Sequence, residues 1–345
     1  MVGRRGETPL VPPYTFRRLN KAMALRPFRP ISTSLTVATR LRPRNAAWPT
    51  APCDGKGSRR RRLAVIADSQ GNASSMNDTL RIVVLAVIQG ITEFLPISSD
   101  GHLVVGNELL KRCQSGPIAK ESLTLILALH LGTLGSIVVV YFERLRRVLS
   151  EMDWRLCLTI VIASIPAAII GIGFKQALEA MFESPLLAGY GFLLTGGVLL
   201  IGQKYQGGQI VERRLPWPIS LIIGCFQAVA ILPGVSRSGC TISGGLICGM
   251  ERESAATFSF LIAIPVIGGA VLLDAVKLLR PGSADALHVP WGAYGLGAVV
   301  SFFVGIAALR LLIRMLSKQK LHWFAYYCLA AGVATIGWQA SEGKW

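Results

Sequence analysis

From Leu80 onward the chain is a succession of apolar runs, and several approach the length of a membrane-crossing helix. Six of them, at 123–141, 154–174, 186–202, 255–273, 293–313 and 324–338, carry no strong interruption. About 20 apolar residues cross a bilayer as a helix. Lipid admits only helices and closed barrels, because every backbone polar group must be satisfied within the protein. Composition agrees: the 345 residues are 52% hydrophobic and 16% charged, where soluble chains carry about 25% charged residues. The fold class expected is an all-α polytopic membrane protein.

Two further apolar segments behave differently. At 80–96 and again at 218–232, a short run ends in Leu-Pro (Leu95-Pro96, Leu232-Pro233), passes through a Ser/Gly-rich turn and continues as another short piece, at 102–110 and around 243–250. Proline breaks a helix and glycine frees a turn. Broken backbone at membrane depth is tolerated only when buried in protein or lining a wet cavity. Both pairs read as re-entrant helical hairpins with polar tips.

A repeat follows: hairpin plus three spanning helices at 80–202, then the same at 218–338. Three crossings are odd, so the second unit is inverted, giving six spanning helices and two hairpins that enter from opposite faces and meet near the midplane. One set of loops holds twelve Lys and Arg, among them Arg144, Arg147, Arg213 and Arg252, and the other eight. The positive-inside trend puts the first set in the cytoplasm, with Met76 and the C-terminus outside.

The net charge of +17 is unevenly placed. Residues 1–75 contain fifteen Lys and Arg against three acids, including the run Arg59-Arg60-Arg61-Arg62, and show no periodic apolar face. Such a leader reads as a transit peptide, a disordered basic tail, or upstream sequence that is not translated. The last is preferred, because Met76 stands directly before the first apolar run. Residues 76–345 form the membrane domain. Nucleic-acid binding is not expected, since the excess charge belongs to this one segment. Seven cysteines show neither a C-x-x-C pair nor histidine at ligand spacing, so no disulfide or zinc framework is indicated.

Chemistry concentrates in the two tips. The first reads QGITEFLPISSDGH, from Gln89 to His102, and ionisable groups at membrane depth are functional candidates. Gln89 and Glu93, four apart, share a helix face. Glu93 can hold a hard cation such as Mg²⁺ or Ca²⁺, or act as a base, and Gln89 can add a carbonyl ligand. Ser98, Ser99 and His102 follow closely, with Asp100, to which no role is assigned. The second tip, LPGVSRSGCT, has the make-up of an anion cradle. Gly234 and Gly239 let the backbone approach an oxyanion, while Ser236, Ser238 and Thr241 donate hydrogen bonds beside a helix start. Arg237 offers a planar fork that matches phosphate oxygens. His130, alone in the apolar stretch LALHLGT, reads as a helix–helix hydrogen bond, and His288 and His322 as solvated.

These motifs resemble those of the undecaprenyl-diphosphate phosphatases of the bacitracin-resistance family. QGITEFLPISSDGH is similar to that family's [E/Q]-x-x-x-E plus serine-histidine motif, and PGVSRSGCT to its P-G-x-S-R-S-x-x-T motif. The similarity runs from about Leu80 to the C-terminus. It implies hydrolysis of undecaprenyl diphosphate to undecaprenyl phosphate and phosphate, with a divalent cation, in the bacterial inner membrane as part of wall synthesis and bacitracin resistance. Glu93, Ser99 and His102 fall on the functional positions of the first motif; Ser236, Arg237, Ser238 and Thr241 fall on those of the second. Arg237 and a cation on Glu93 would clamp the diphosphate, His102 would carry protons, and the nucleophile is Ser99 or a water. The site would face the periplasm. Partners are then the lipid substrate and the bilayer, with homo-oligomerisation left open. The rival reading is a transporter or flippase of a phosphorylated lipid, which inverted repeats also suit. A second lipid-phosphatase pattern, Ser-Arg-x5-His, is excluded because Ser243 stands where its histidine is required.

Overall fold

The computed structural model describes residues 79–113, 123–205, 208–278 and 291–343. Within them the chain forms twelve α-helices. These are α1 (Thr79–Thr92), α2 (Ser99–Cys113), α3 (Leu123–Val140), α4 (Phe142–Ser150), α5 (Trp154–Gly173), α6 (Lys175–Met181), α7 (Pro185–Lys204), α8 (Trp217–Val229), α9 (Arg237–Ile247), α10 (Arg252–Leu278), α11 (Trp291–Ser317) and α12 (Leu321–Ser341). One 3-10 turn, Glu212–Arg214, and one isolated parallel bridge, between Ile210 and Met250, complete the regular structure of the described residues. The leader at 1–75 and His288 lie outside them.

Four helices, α5, α7, α10 and α11, are long and apolar enough to cross a membrane, and α3 with α4 makes a fifth if that pair is one span. The pair is bent by 69° at the break between Val140 and Phe142. The sixth expected span, α12, has the length, at 21 residues. Its His322, Trp323, Tyr326 and Tyr327 make it less apolar than the others, and such amphipathic rings belong at a membrane interface. The helices α1 and α8 are too short to cross and end at the two predicted tips.

The outward faces show what solvent the fold requires. On α5, Leu156, Thr159, Ala163 and Ala167 are buried. Leu158, Val161, Ile165, Ile169 and Ile172 form the opposite stripe, and Ile172 is 72% exposed. A stripe of large apolar side chains at helical spacing, facing away from the protein core, is the reverse of a water-soluble helix. Phe303, Leu272 and Val333 repeat it on α11, α10 and α12. A bilayer is the medium that suits this surface.

Because lipid gives helices no hydrophobic drive to associate, close approach of backbones and buried hydroxyls do the joining. On α8, Gly224 lies so near α5 that an added Cβ would stand 2.6 Å from the Ala163 carbonyl oxygen. Ser220 Oγ beside it donates to the Thr159 carbonyl at 2.5 Å. Between α3 and α11, Ser136 Oγ donates to Phe302 O at 2.7 Å and Ser301 Oγ to Leu129 O at 3.1 Å. Gly189 and Gly332 bring α7 and α12 together in the same way. These pairings fix the frame that holds the two tips.

Candidate active site

In the first tip, α1 ends at Thr92 and the chain turns through Leu95-Pro96 before α2 begins. Ser98 takes a left-handed backbone, φ 68°, and caps α2 by accepting the Gly101 N–H at 3.2 Å. Ser99 opens α2. Glu93 is thereby held by its own segment: Gln89 Nε2 and Ser99 Oγ each donate to its Oε2 at 3.0 Å.

The second tip repeats the device. Gly234 has φ +82° and abuts the Ala188 backbone, so no side chain fits there. Ser236 caps α9 by accepting the Gly239 N–H at 3.2 Å. Thr195 of α7 pins this turn: its Oγ1 accepts the Ser236 N–H at 2.9 Å and donates to Gly234 O at 3.1 Å. The cap makes α9 begin at Arg237, several residues before the apolar piece expected around 243–250. Arg237 is thus the first helical residue.

The tips meet. Arg237 Nη2 donates to Glu93 Oε1 at 2.5 Å, with side-chain exposures of 17% and 7%. A buried pair of this kind relies on its hydrogen bonds, and removing one partner strands a charge. Here Glu93 has Arg237 on one oxygen and Gln89 and Ser99 on the other.

A cavity of about 220 Å³ opens beside the pair. Its lining includes the polar residues Glu93, Ser98, Ser99, Asp100, Ser236 and Arg237. The apolar residues Ala167, Phe182, Ile231, Val266 and Ile267 line it as well. Five sequence-predicted site residues therefore line one space. Gly234 and Gly239 shape the second turn. Ser238 and Thr241 are buried behind it, Ser238 against Ser236 Oγ at 3.3 Å and Thr241 against Ser259 Oγ at 2.5 Å.

Two residues stand elsewhere than expected. Gln89 is 2% exposed and sits behind Glu93, presenting its amide N–H groups rather than its carbonyl to the carboxylate. That orientation suits a support better than the cation ligand expected. His102 does not line the cavity. Its Nδ1 lies 2.6 Å from the Ser98 carbonyl and its Nε2 2.6 Å from the Tyr327 hydroxyl, with the ring stacked on Tyr327 and edge-on to Phe192. It ties the first tip to α12.

Three polar lining residues, His130, Gln227 and Asp100, had no site role in the sequence reading. His130 makes the expected helix–helix contact, to Gln89, and also faces the cavity. Gln227 and Asp100 face it too. A polar residue at membrane depth was the signal for Gln227 and went unused.

Among the described residues no three or more His, Cys, Asp and Glu side chains gather into a ready metal cage. Two carboxylates, Glu93 and Asp100, do share the cavity wall. Mg²⁺ is commonly held by one or two carboxylates, with substrate phosphate and water completing its shell. The donor set fits a hard cation of that kind.

Residues 82–334 match the family described as bacitracin resistance protein BacA. The chain belongs to that family. Among curated BacA relatives, the undecaprenyl-diphosphatase of Rhodopirellula baltica is 44% identical over 261 residues, covering 76% of this chain and 98% of that protein. The undecaprenyl-diphosphatase of Desulfatibacillum aliphaticivorans is 36% identical over 279 residues, covering 74% and 97%. That of Bacteroides thetaiotaomicron is 36% identical over 272 residues, covering 74% and 97%. Both tips of this BacA chain, and every residue of the cavity, fall inside the matched segment.

Proposed function

We propose that this chain is an undecaprenyl-diphosphatase, an integral membrane hydrolase that converts undecaprenyl diphosphate and water to undecaprenyl phosphate and inorganic phosphate. The observation that carries the reading is the Arg237–Glu93 contact in a cavity lined by both polar and apolar residues. Such a cavity suits a substrate with a charged head and a hydrocarbon tail.

Phosphoryl transfer depends mainly on positioning and charge neutralisation. Ser99 Oγ is the group poised for attack, since Glu93 Oε2 accepts from it at 3.0 Å and lies within reach of its proton. Attack on the terminal phosphorus forms a phosphoserine and breaks the bond to the bridging oxygen, which leaves with undecaprenyl phosphate. The proton passes to Glu93. Water then cleaves the phosphoserine, releasing phosphate and returning the proton to Ser99. Arg237 exchanges its bond to Glu93 for the phosphoryl oxygens, aided by Ser98, Ser236 and the backbone N–H groups at the start of α9. A divalent cation held by Glu93 and Asp100 would supply further neutralisation of the diphosphate. His102 supports the reaction by holding the Ser98 carbonyl.

The architecture belongs to the same proposal: two re-entrant hairpins, α1–α2 and α8–α9, in inverted repeats within 76–345, the site open to the periplasmic side of the inner membrane. The matching caps of Ser98 on Gly101 and Ser236 on Gly239 support the repeat.

The deciding experiment is phosphate release from undecaprenyl diphosphate by purified protein in detergent, with Mg²⁺, with Ca²⁺ and with chelator. Release is expected. Lipid binding without release under every condition would leave a carrier of phosphorylated lipid as the better reading.

A further inference from the structure

The hydrogen bonds around Glu93 continue one step beyond the site, to a residue that neither motif contains. Arg237 is a donor only and the Glu93 carboxylate an acceptor only, so the group on the far side of Glu93 must donate. That group is the Gln89 amide nitrogen, 3.0 Å from Oε2. The same nitrogen lies 3.4 Å from Nε2 of His130. An amide nitrogen cannot accept, so Nε2 must, and the proton of the neutral ring sits on Nδ1, which donates to the Ile126 carbonyl at 2.9 Å. Every link in the series Arg237, Glu93, Gln89, His130, Ile126 thus has its direction set by its neighbours.

We propose that His130 is a positioning residue for this phosphatase site, acting through Gln89 on the rotation of the Glu93 carboxylate. The inference rests on the undecaprenyl-diphosphatase reading of the same cavity. Gln89 is otherwise free to rotate about its terminal torsion and could turn its carbonyl toward Glu93, an arrangement in which two acceptors face each other. A lone pair at His130 Nε2, anchored on a different helix, holds the amide in the productive sense. With the amide fixed, Oε2 is shared by Gln89 and Ser99, and Oε1 is left to Arg237. His130 also lines the cavity, so its ring closes the wall next to the carboxylate it supports.

The test compares kcat and KM for phosphate release by His130→Leu, His130→Gln, His130→Asn, Gln89→Leu and the double variant His130→Leu/Gln89→Leu. Supporting partners of this kind change activity by about 10-fold to 100-fold. His130→Leu should lower kcat by roughly 10-fold with KM little changed. Gln carries a carbonyl oxygen about as far from its backbone as Nε2 and should recover most of the loss. Asn is too short and should not. The double variant should be no slower than the slower single. Wild-type turnover in His130→Leu, equal loss in the Gln and Asn variants, or losses that multiply in the double variant would each overturn the inference. The polar pair of Gln and Asn variants keeps the comparison informative if the leucine variant fails to fold. An inactive wild type sinks the underlying reading instead, before any variant is compared.

Discussion

At the scale of single residues, the site is a contest for one arginine and one carboxylate. Glu93→Gln keeps the shape but removes the proton acceptor; it is expected to lower kcat by about 10²-fold to 10⁴-fold, the range for loss of a general base. The purified variant should still elute as a folded protein, and near-normal phosphate release would remove Glu93 from the mechanism. Arg237→Ala should also abolish turnover. It additionally strands a buried carboxylate, so thermal unfolding in detergent should show a loss of about 3–5 kcal/mol, a penalty that the double change Arg237→Ala/Glu93→Leu should largely relieve. Ser99→Ala should prevent any acid-stable phosphoprotein from forming with labelled substrate. If label still accumulates on the chain, another nucleophile is at work. The members of this contest were legible in the sequence because each stands in a dense polar cluster where apolar residues are expected. His130 was not legible as part of it. Its sequence neighbours are all apolar, and its partner Gln89 lies 41 residues away, a proximity only the packing of α3 creates.

At the scale of elements, the two polar tips depend on turn chemistry and on the helices that clamp them. Gly234 combines a left-handed backbone with contact against Ala188. Gly234→Ala should therefore destabilise the protein by about 1–3 kcal/mol and reduce activity more than stability, because it moves the turn that presents Ser236 and Arg237. Circular dichroism melting alongside phosphate release checks both halves. The broad helix layout was readable from apolar run length, and the breaks at Leu95-Pro96 and Leu232-Pro233 from proline followed by a Ser/Gly-rich turn; Pro166 and Pro265, which lack such a turn, stay inside helices. What run length does not register is short amphipathic structure. The nine-residue α4 mixes Phe142 and Leu149 with Arg144, Arg146 and Arg147, and α6 opens at Lys175. Neither forms an apolar run, so neither was expected. The early start of α9 was hidden for another reason: its first turn is polar, and the Ser236 cap, not hydrophobicity, sets where it begins.

At the scale of the whole molecule, the matched segment accounts for nearly the full length of the relatives. A chain beginning at Met76 should accordingly release phosphate at a rate close to that of the 345-residue chain; failure of the shorter chain alone would assign the leader a part in the working enzyme. The Arg237–Glu93 pair has a wider consequence. At rest the guanidinium is already matched by the Glu93 carboxylate, so it needs no anion of its own. Every anion that binds must instead outbid Glu93 for the guanidinium. A diphosphate head, with more charge and more oxygens, does so more readily than the monophosphate left after cleavage. Product should therefore be handed back to the membrane rather than retained, and undecaprenyl phosphate should inhibit only at concentrations well above the substrate KM.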